Sequence, residues 1–322
     1  MNSRAPDKAA GAGFCALADW GTSNFRLWLV DDNGNVLGKR QSDDGLLACA
    51  DGRFANVLES HLSALGAAPD LPVVIAGMAG ARTGWREAPY VETPASLDAL
   101  YRQAVSPAGL ARPVFILPGV CQRDTGPFDV MRGEETQLAG AVETGLSNGV
   151  FCLPGTHSKW VLLTGGRIAA FRTVMTGELF DLLSKQSILK HSILKHSIDQ
   201  NQPFTADDPG FLDGVTEALG NGFSLTAHLF SIRAAGLLGD GATSAAARLS
   251  GMLIGAEIAG MKSFMQDNTT VHLIGSSRLT ALYGKALEIT GARSSVLDGD
   301  ELVRKGLFAA AKALFQKSEE PK

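Results

Sequence analysis

The sequence predicts an α/β chain of two similarly built domains, each organised around a mixed sheet. Three observations predict it. A short polar turn between two apolar runs occurs twice, as Asp19-Trp20-Gly21-Thr22-Ser23-Asn24 and as Leu153-Pro154-Gly155-Thr156-His157-Ser158-Lys159. After each turn the same succession follows, a second and third strand and then alternating helices and strands. The length, 322 residues, is sufficient for two cores.

Taken in order, the apolar runs predict strands over residues 14–18, 25–30 and 36–41, with Asp31-Asp32-Asn33-Gly34 as the turn between the last two. A helical pattern covers 54–65, and Val73-Val74-Ile75-Ala76 is a buried strand that ends at Gly77. Residues 79–113, rich in Gly and Pro, form an insertion at the domain edge, before a strand over 114–117 and a helix over 134–143. The second half restarts with strands over 150–153, 160–163 and 168–173 and a helix from Gly177. Helical patterns continue to Ile232 and over 245–261; then come a strand over 271–274, a helix over 278–290, a short strand near 295–297 and a final helix over 301–315. The β-β-β-α-β-α-β-α order is that of ribonuclease-H-like domains, and the sequence places them at 14–146 and 147–316. Residues 1–13 form a loose tail and 317–322 a frayed one.

A pentapeptide, Ser187-Ile188-Leu189-Lys190-His191, is repeated at once as Ser192-Ile193-Leu194-Lys195-His196. A five-residue step turns a helix by about 140°, so the two copies share no buried face and His191 and His196 form no metal pair. Small residues at Gly251, Gly255 and Gly260 suit a close helix crossing.

Composition removes several function classes. The net charge of −4 gives no electrostatic case for nucleic acid or an anionic membrane. Four dispersed cysteines, without Cys-x-x-Cys, exclude the usual zinc and redox spacings and fit a reducing compartment. No apolar stretch reaches membrane-spanning length, Arg248 and Glu257 interrupting the best candidate, and residues 1–13 lack the apolar core of a signal peptide. The expectation is a cytoplasmic protein that binds neither nucleic acid nor membrane, with a homodimer as the oligomeric form in view. No Gly-x-x-x-x-Gly-Lys-Ser/Thr or Gly-x-Ser-x-Gly is present, and the glycines of Gly11-Ala12-Gly13 precede the first strand instead of following one.

The candidate chemistry is that of phosphate. Glycine lets the backbone approach an anion closely, and neighbouring hydroxyls and amides donate to its oxygens. Gly21, Thr22 and Ser23 form one such turn, and Gly155, Thr156, His157, Ser158 and Lys159 the other. Asp19, at a strand end two residues before Gly21, can hold Mg²⁺ or its waters against phosphate; a turn-forming Asp is the plain alternative. Glu134 and Glu135 open a helix where a base for an alcohol is needed, and they point about 100° apart, so at most one serves. Two polar strand-end loops are candidate substrate walls: Met78, Ala79, Gly80 and Trp85 in the first half, and Arg172, Thr176 and Glu178 in the second. A substrate carboxylate calls for an arginine fork, and Arg172 is expected to supply it before Arg132, because Arg132, adjoining the glutamates, can instead hold the helix start through an ion pair. Gly275, Ser276 and Ser277 link a buried strand to a helix, with small residues that admit a flat purine.

These turns, with the Gly-Ser-Ser link, resemble the actin-like superfamily of sugar kinases and heat-shock ATPases. More specifically, Ala76–Gly80 with Gly84-Trp85, Leu117–Cys121, Val130–Leu138, Pro154–Trp160, Phe171–Glu178 and Leu253–Glu257 resemble the 2-dehydro-3-deoxygalactonokinase family over residues 14–310. The tandem pentapeptide is a departure, one copy more than that pattern. The resemblance implies two ribonuclease-H-like domains with mixed five-stranded sheets about an interdomain cleft. It also implies ATP and Mg²⁺ as cofactors and transfer to the 6-hydroxyl of 2-dehydro-3-deoxy-D-galactonate in galactonate catabolism. Related sugar kinases place a Gly-Asp pair where Gly133-Glu134 stands here, which favours Glu134 over Glu135 as the base. Competing expectations are a polyphosphate or nucleotide phosphohydrolase, a kinase of the gluconate epimer, and a sugar-sensing regulator. A regulator would add a DNA-binding helix-turn-helix, which the sequence lacks.

Overall fold

The computed structural model describes residues 13–124, 126–196, 204–220, 222–239, 244–265 and 269–315. They divide between two compact units, the residues up to Ser147 together with those from Asp300 onward, and Asn148–Gly299.

The first unit opens with β1 (Cys15–Trp20), β2 (Phe25–Val30) and β3 (Val36–Ser42), then α1 (Phe54–Ala64) and β4 (Val73–Gly77). Next come β5 (Tyr90–Glu92), β6 (Ala95–Ser96), α2 (Leu97–Arg102), β7 (Val114–Ile116), β8 (Gly119–Gln122), β9 (Asp129–Met131) and α3 (Glu134–Glu143). The main sheet has the order β3-β2-β1-β4-β7, antiparallel within β1–β3 and parallel from β1 through β4 to β7. Central β1 and β4 are near-continuous apolar runs because both their faces are covered. Edge strand β3 carries Lys39, Arg40 and Gln41 and stays largely exposed, which keeps its open side from pairing further. The expected insertion at 79–113 contains β5, β6 and α2, and β5 joins β8 and β9 in a separate three-stranded sheet that the sequence reading missed.

The second unit consists of β10 (Gly149–Leu153), β11 (Ser158–Thr164), β12 (Arg167–Val174), α4 (Thr176–Lys185) and α5 (Lys190–His196). Then follow α6 (Pro209–Leu219), α7 (Leu225–Leu238), α8 (Ala245–Gly260), β13 (Thr270–Ile274), α9 (Ser277–Ile289) and β14 (Arg293–Leu297). Its strands lie in the order β12-β11-β10-β13-β14, again antiparallel for the first three and parallel for the rest. Order and directions therefore repeat those of the first unit strand for strand. The tandem pentapeptide runs from the end of α4 into α5. The small residues of α8 meet α6 within this unit: a Cβ on Gly251 would stand 2.2 Å from the Phe211 carbonyl oxygen, and one on Gly214 2.4 Å from that of Arg248.

The last helix, α10 (Gly299–Phe315), departs from the expected second domain of 147–316. The order of elements put it in the second domain, whereas its contacts put it in the first unit. The cause is a reciprocal glycine notch with α3. A Cβ on Gly140 would lie 1.9 Å from the Leu302 carbonyl oxygen, and one on Gly306 2.0 Å from that of Thr136. Phe308 and Phe315 then pack edge-on against Phe14, at 6.1 and 5.9 Å between ring centres.

Candidate active site

Each unit presents a Gly-Thr hairpin, and the two are braced alike. In the first, the Gly21 amide donates to the Asn24 carbonyl (2.8 Å), closing the turn between β1 and β2. The Gly21 and Thr22 carbonyls are turned inward, taken by the Leu46 amide (3.0 Å) and the Leu47 amide (3.1 Å). Thr22 and Ser23 stay exposed. In the second hairpin the Thr156 carbonyl is taken by the Glu178 amide (3.0 Å) at the start of α4. Both braces follow the third strand of their sheet, and each has a glycine with no room for a side chain. A Cβ on Gly45 would lie 2.5 Å from the Thr22 oxygen, and one on Gly177 2.4 Å from the Gly155 oxygen. With carbonyls bound from behind, a turn offers its amides and hydroxyls outward, the polarity an anion requires. Gly45 was missed by the sequence reading, although Asp44-Gly45 is a turn signal.

In the first unit three chain ends converge. Asp19 closes β1, pairs across the sheet with Arg26 and takes the Arg26 Nε at 3.0 Å on Oδ2. Arg26 Nη2 also meets Oδ2, so Oδ1 of Asp19 lies outside that ion pair, and Arg26 Nη1 binds Asp300 of α10. Gly77, at φ 91°, ends β4, and a Cβ there would lie 2.5 Å from the Trp20 carbonyl and 3.5 Å from Asp19 Oδ1. Gly133, at φ 112°, starts α3, its Cβ position 3.6 Å from the Gly77 Cα. Only glycine adopts such angles without strain, and α3 thereby begins at the end of β4, the strand that pairs with Asp19's.

The two glutamates of α3 separate cleanly. Glu135 is 1% exposed, and both its carboxylate oxygens accept from the Gly133 amide, at 2.9 and 2.7 Å. Burial, with Glu134 adding to it, pushes its carboxyl up to about 8. Glu134 is partly exposed, and its Oε2 accepts from the Arg132 amide at 3.2 Å. The Arg132 side chain turns away from this helix start: its Nη2 donates to the Ala88 carbonyl (2.9 Å), and the guanidinium lies 4.4 Å from the Tyr90 ring centre. Its Nε and Nη1 are buried without a partner, beside Gly80. Of the loop residues, Ala79 and Gly80 are buried, so their side of the wall is backbone; Met78 and Trp85 keep partial exposure, Trp85 stacked on Phe54.

In the second unit the hairpin residues divide. Gly155, Thr156 and His157 reach the surface, and a Cβ on Gly155 would meet nothing within 4 Å. Ser158 is fully buried, with its hydroxyl on the Tyr283 hydroxyl (2.8 Å), and Lys159 is 5% exposed, with Nζ 3.4 Å from the His157 carbonyl. The alternation of β11 turns the Ser158 hydroxyl into the core and points Lys159 to the opposite face of the strand. Of the residues expected as substrate walls, Glu178 meets this hairpin and Thr176 turns to the core. Glu178 Oε2 meets His157 Nε2 at 2.5 Å, and the Thr176 hydroxyl is buried on Glu257. Arg172 stands opposite Trp160 in the β11–β12 pairing, with Nε buried and unpartnered.

Gly275, Ser276 and Ser277 are exposed between β13 and α9, where the Ser276 hydroxyl caps the helix by accepting from the Leu279 amide (3.4 Å). A cavity of about 70 Å³ runs from Gly155 and Gly177 to Arg278 and Leu279, walled by Phe180 and Phe204. The Arg278 guanidinium sits 4.7 Å from the Phe204 ring centre. One apolar space therefore joins the hairpin to the start of α9, in one unit.

Comparison with known proteins gives these features their context. A family model described as 2-keto-3-deoxy-galactonokinase matches residues 19–310. The chain belongs to that family. It is 46% identical over 306 residues to the Rhizobium meliloti (strain 1021) protein named as a probable 2-dehydro-3-deoxygalactonokinase, DgoK1, covering 94% of this chain and 98% of that one. It is 34% identical over 297 residues to the Escherichia coli (strain K12) 2-dehydro-3-deoxygalactonokinase, covering 92% and 97%. The crystal structure of a candidate 2-dehydro-3-deoxygalactonokinase from Sinorhizobium meliloti superposes with a TM-score of 0.88 at 45% identity, covering 94% of this chain and 99% of that one. In this kinase family the glycine-braced hairpins and the α3 start lie inside the matched span. No described helix is long and apolar enough to cross a membrane, and no described group of three His, Cys, Asp or Glu side chains is arranged to hold a metal by itself.

Proposed function

We propose that the chain is an ATP-dependent 2-dehydro-3-deoxygalactonokinase built from two ribonuclease-H-like domains of the actin-like type, working in the cytoplasm on a small sugar acid. The observation that carries this reading is the repeated strand order, with a Gly-Thr hairpin braced in the same way in each unit. Family membership supports the choice of substrate, 2-dehydro-3-deoxy-D-galactonate, phosphorylated at its 6-hydroxyl.

Glu134 is the base. Its carboxylate is partly exposed at a helix start beside the end of β4, whereas Glu135 is spent on the Gly133 amide. Glu134 takes the 6-hydroxyl proton as that oxygen bonds to the γ-phosphorus and the bond from the γ-phosphorus to the β,γ-bridging oxygen breaks, leaving ADP. Thr22, Ser23 and the amides of Gly155, Thr156 and His157 orient the phosphates, and the cavity beside Arg278 takes the base of the nucleotide. Mg²⁺ fits Asp19, because one strand-end carboxylate with an oxygen outside its ion pair suits an ion bound chiefly by phosphates and water. There it would neutralise phosphate charge. The substrate carboxylate we assign to Arg132 in preference to Arg172. Arg132 shares a unit with Glu134 and has two unpartnered nitrogens, and guanidinium suits a carboxylate; Arg172 stands opposite core residue Trp160.

The test is ADP release with each keto-deoxy sugar acid in turn. Glu134→Gln should lower kcat by about 10²–10⁴-fold, with the KM for ATP little changed, and Glu135→Gln should remain active. The reverse pattern moves the base to Glu135, and ADP release without any acceptor favours a phosphohydrolase.

A further inference from the structure

Glu257 is a carboxylate in the core of the second unit, 4% exposed, on a face of α8 otherwise lined by Leu253, Ile254 and Ile258. A buried carboxylate is costly unless its oxygens are fully engaged, and here they are. Oε1 accepts from the Trp160 indole N–H at 2.7 Å; Oε2 accepts from the Tyr283 hydroxyl at 2.7 Å and from the Thr176 hydroxyl. Tyr283 has one proton, and it goes to Glu257, so the Ser158 hydroxyl, 2.8 Å away, donates to Tyr283. Burial pushes the Glu257 carboxyl up, and the hydroxyl and indole donors pull it back.

The four partners belong to different parts of the nucleotide half. Ser158 and Trp160 lie in β11 directly after the hairpin, Thr176 starts α4, and Tyr283 lies in α9; Thr176 and Tyr283 also line the cavity. No other acceptor receives all three donors. A leucine in this place would fill the space and leave the three donors unsatisfied.

We propose that Glu257 is a positioning residue for ATP: its carboxylate sets the hairpin, the start of α4 and α9 in one geometry, so that the Gly155–His157 amides and the cavity present themselves together to the nucleotide. The inference rests on the reading that this hairpin holds the phosphates of ATP. Glu257 itself touches no substrate, and its effect passes through Thr176, Tyr283 and Ser158. A glutamine preserves the volume but turns an N–H₂ toward at least one of the three donors, so one contact becomes donor against donor. Loosening a site's supporting residues costs affinity because the site must then be reassembled on binding.

The experiment compares wild type, Glu257→Gln and Tyr283→Phe, measuring ATP affinity by calorimetry, KM for ATP and for the sugar acid separately, and thermal unfolding. Expected is a rise of about tenfold in the KM and Kd for ATP in both variants, with the KM for the sugar acid within about twofold of wild type. Tyr283→Phe keeps the Trp160 and Thr176 bonds and removes the Tyr283–Glu257 bond together with the link to Ser158, so it carries the test if Glu257→Gln does not fold. Unchanged ATP affinity in a folded variant overturns the proposal, as does an equal rise of both KM values, which marks general damage. Wild type that fails to bind ATP overturns instead the reading on which the proposal rests.

Discussion

Glu135 makes the stability of the first unit depend on pH in an unusual direction. The side chain is fully buried, and burial lifts its carboxyl from 4.5 to about 8. Between those values the folded protein holds a proton that the unfolded chain has released, so stability must fall as pH rises. The contribution is fully present below about pH 4.5 and is lost as pH passes through about 8. One pH unit corresponds to about 1.4 kcal/mol, so the full span amounts to roughly 5 kcal/mol as an upper figure. Glutamine at this position keeps the shape and an oxygen for the Gly133 amide but has nothing to titrate. Its own amide needs a partner, which adds an offset of about 1–3 kcal/mol that does not vary with pH. Urea unfolding of wild type and Glu135→Gln at pH 5, 6.5 and 8 should therefore give lines that converge or cross. The variant gains on wild type by about 1.4 kcal/mol for each unit of rising pH. Parallel lines across that range would refute the buried, proton-holding state of Glu135.

Three further outcomes follow from geometry. Gly306→Ala would place a methyl 2.0 Å from the Thr136 carbonyl oxygen, so α10 must move off α3; a loss of about 1–3 kcal/mol in urea unfolding is expected. Asp19→Asn should lower turnover about a hundredfold or more without recovery at saturating Mg²⁺, in the coupled ADP assay, with the melting temperature near that of wild type. Arg132→Met should raise the KM for the sugar acid and leave that for ATP nearly unchanged, and a larger effect from Arg172→Met in the same assay would reassign the carboxylate.

Much of this fold was legible in the sequence because the elements that position the site advertise themselves locally. Strands β1, β4, β10 and β13 are short apolar runs that end in glycine or a polar turn, and their neighbours follow within a few residues. The hairpins were legible from Gly-Thr alone, and the start of α3 from Gly133-Glu134-Glu135. What escaped depends on partners distant in the chain. That Ser158 faces inward is decided by Tyr283 and Glu257, and that α10 leaves the second unit is decided by Gly140 and Gly306 meeting backbone across the chain. The strands β8 and β9 are 4 and 3 residues long, too short for alternation to declare itself. Glu257 stood out in the sequence as a charge interrupting an apolar stretch and as the end of the Leu253–Glu257 motif, and its three donors became visible only once the helices were packed.

The place of α10 also bears on how the polypeptide is made. The strand that carries Asp19 leaves the ribosome before the second unit, but the helix that lies against α3, and the Asp300 that holds Arg26, leave it after that unit. The second unit is one uninterrupted run and has all its strands and helices before Gly299 is added. The first unit is thus begun before the second and finished after it. A polypeptide terminated at Gly299 would retain all of the second unit, and the first would be left with the Gly140 notch of α3 uncovered.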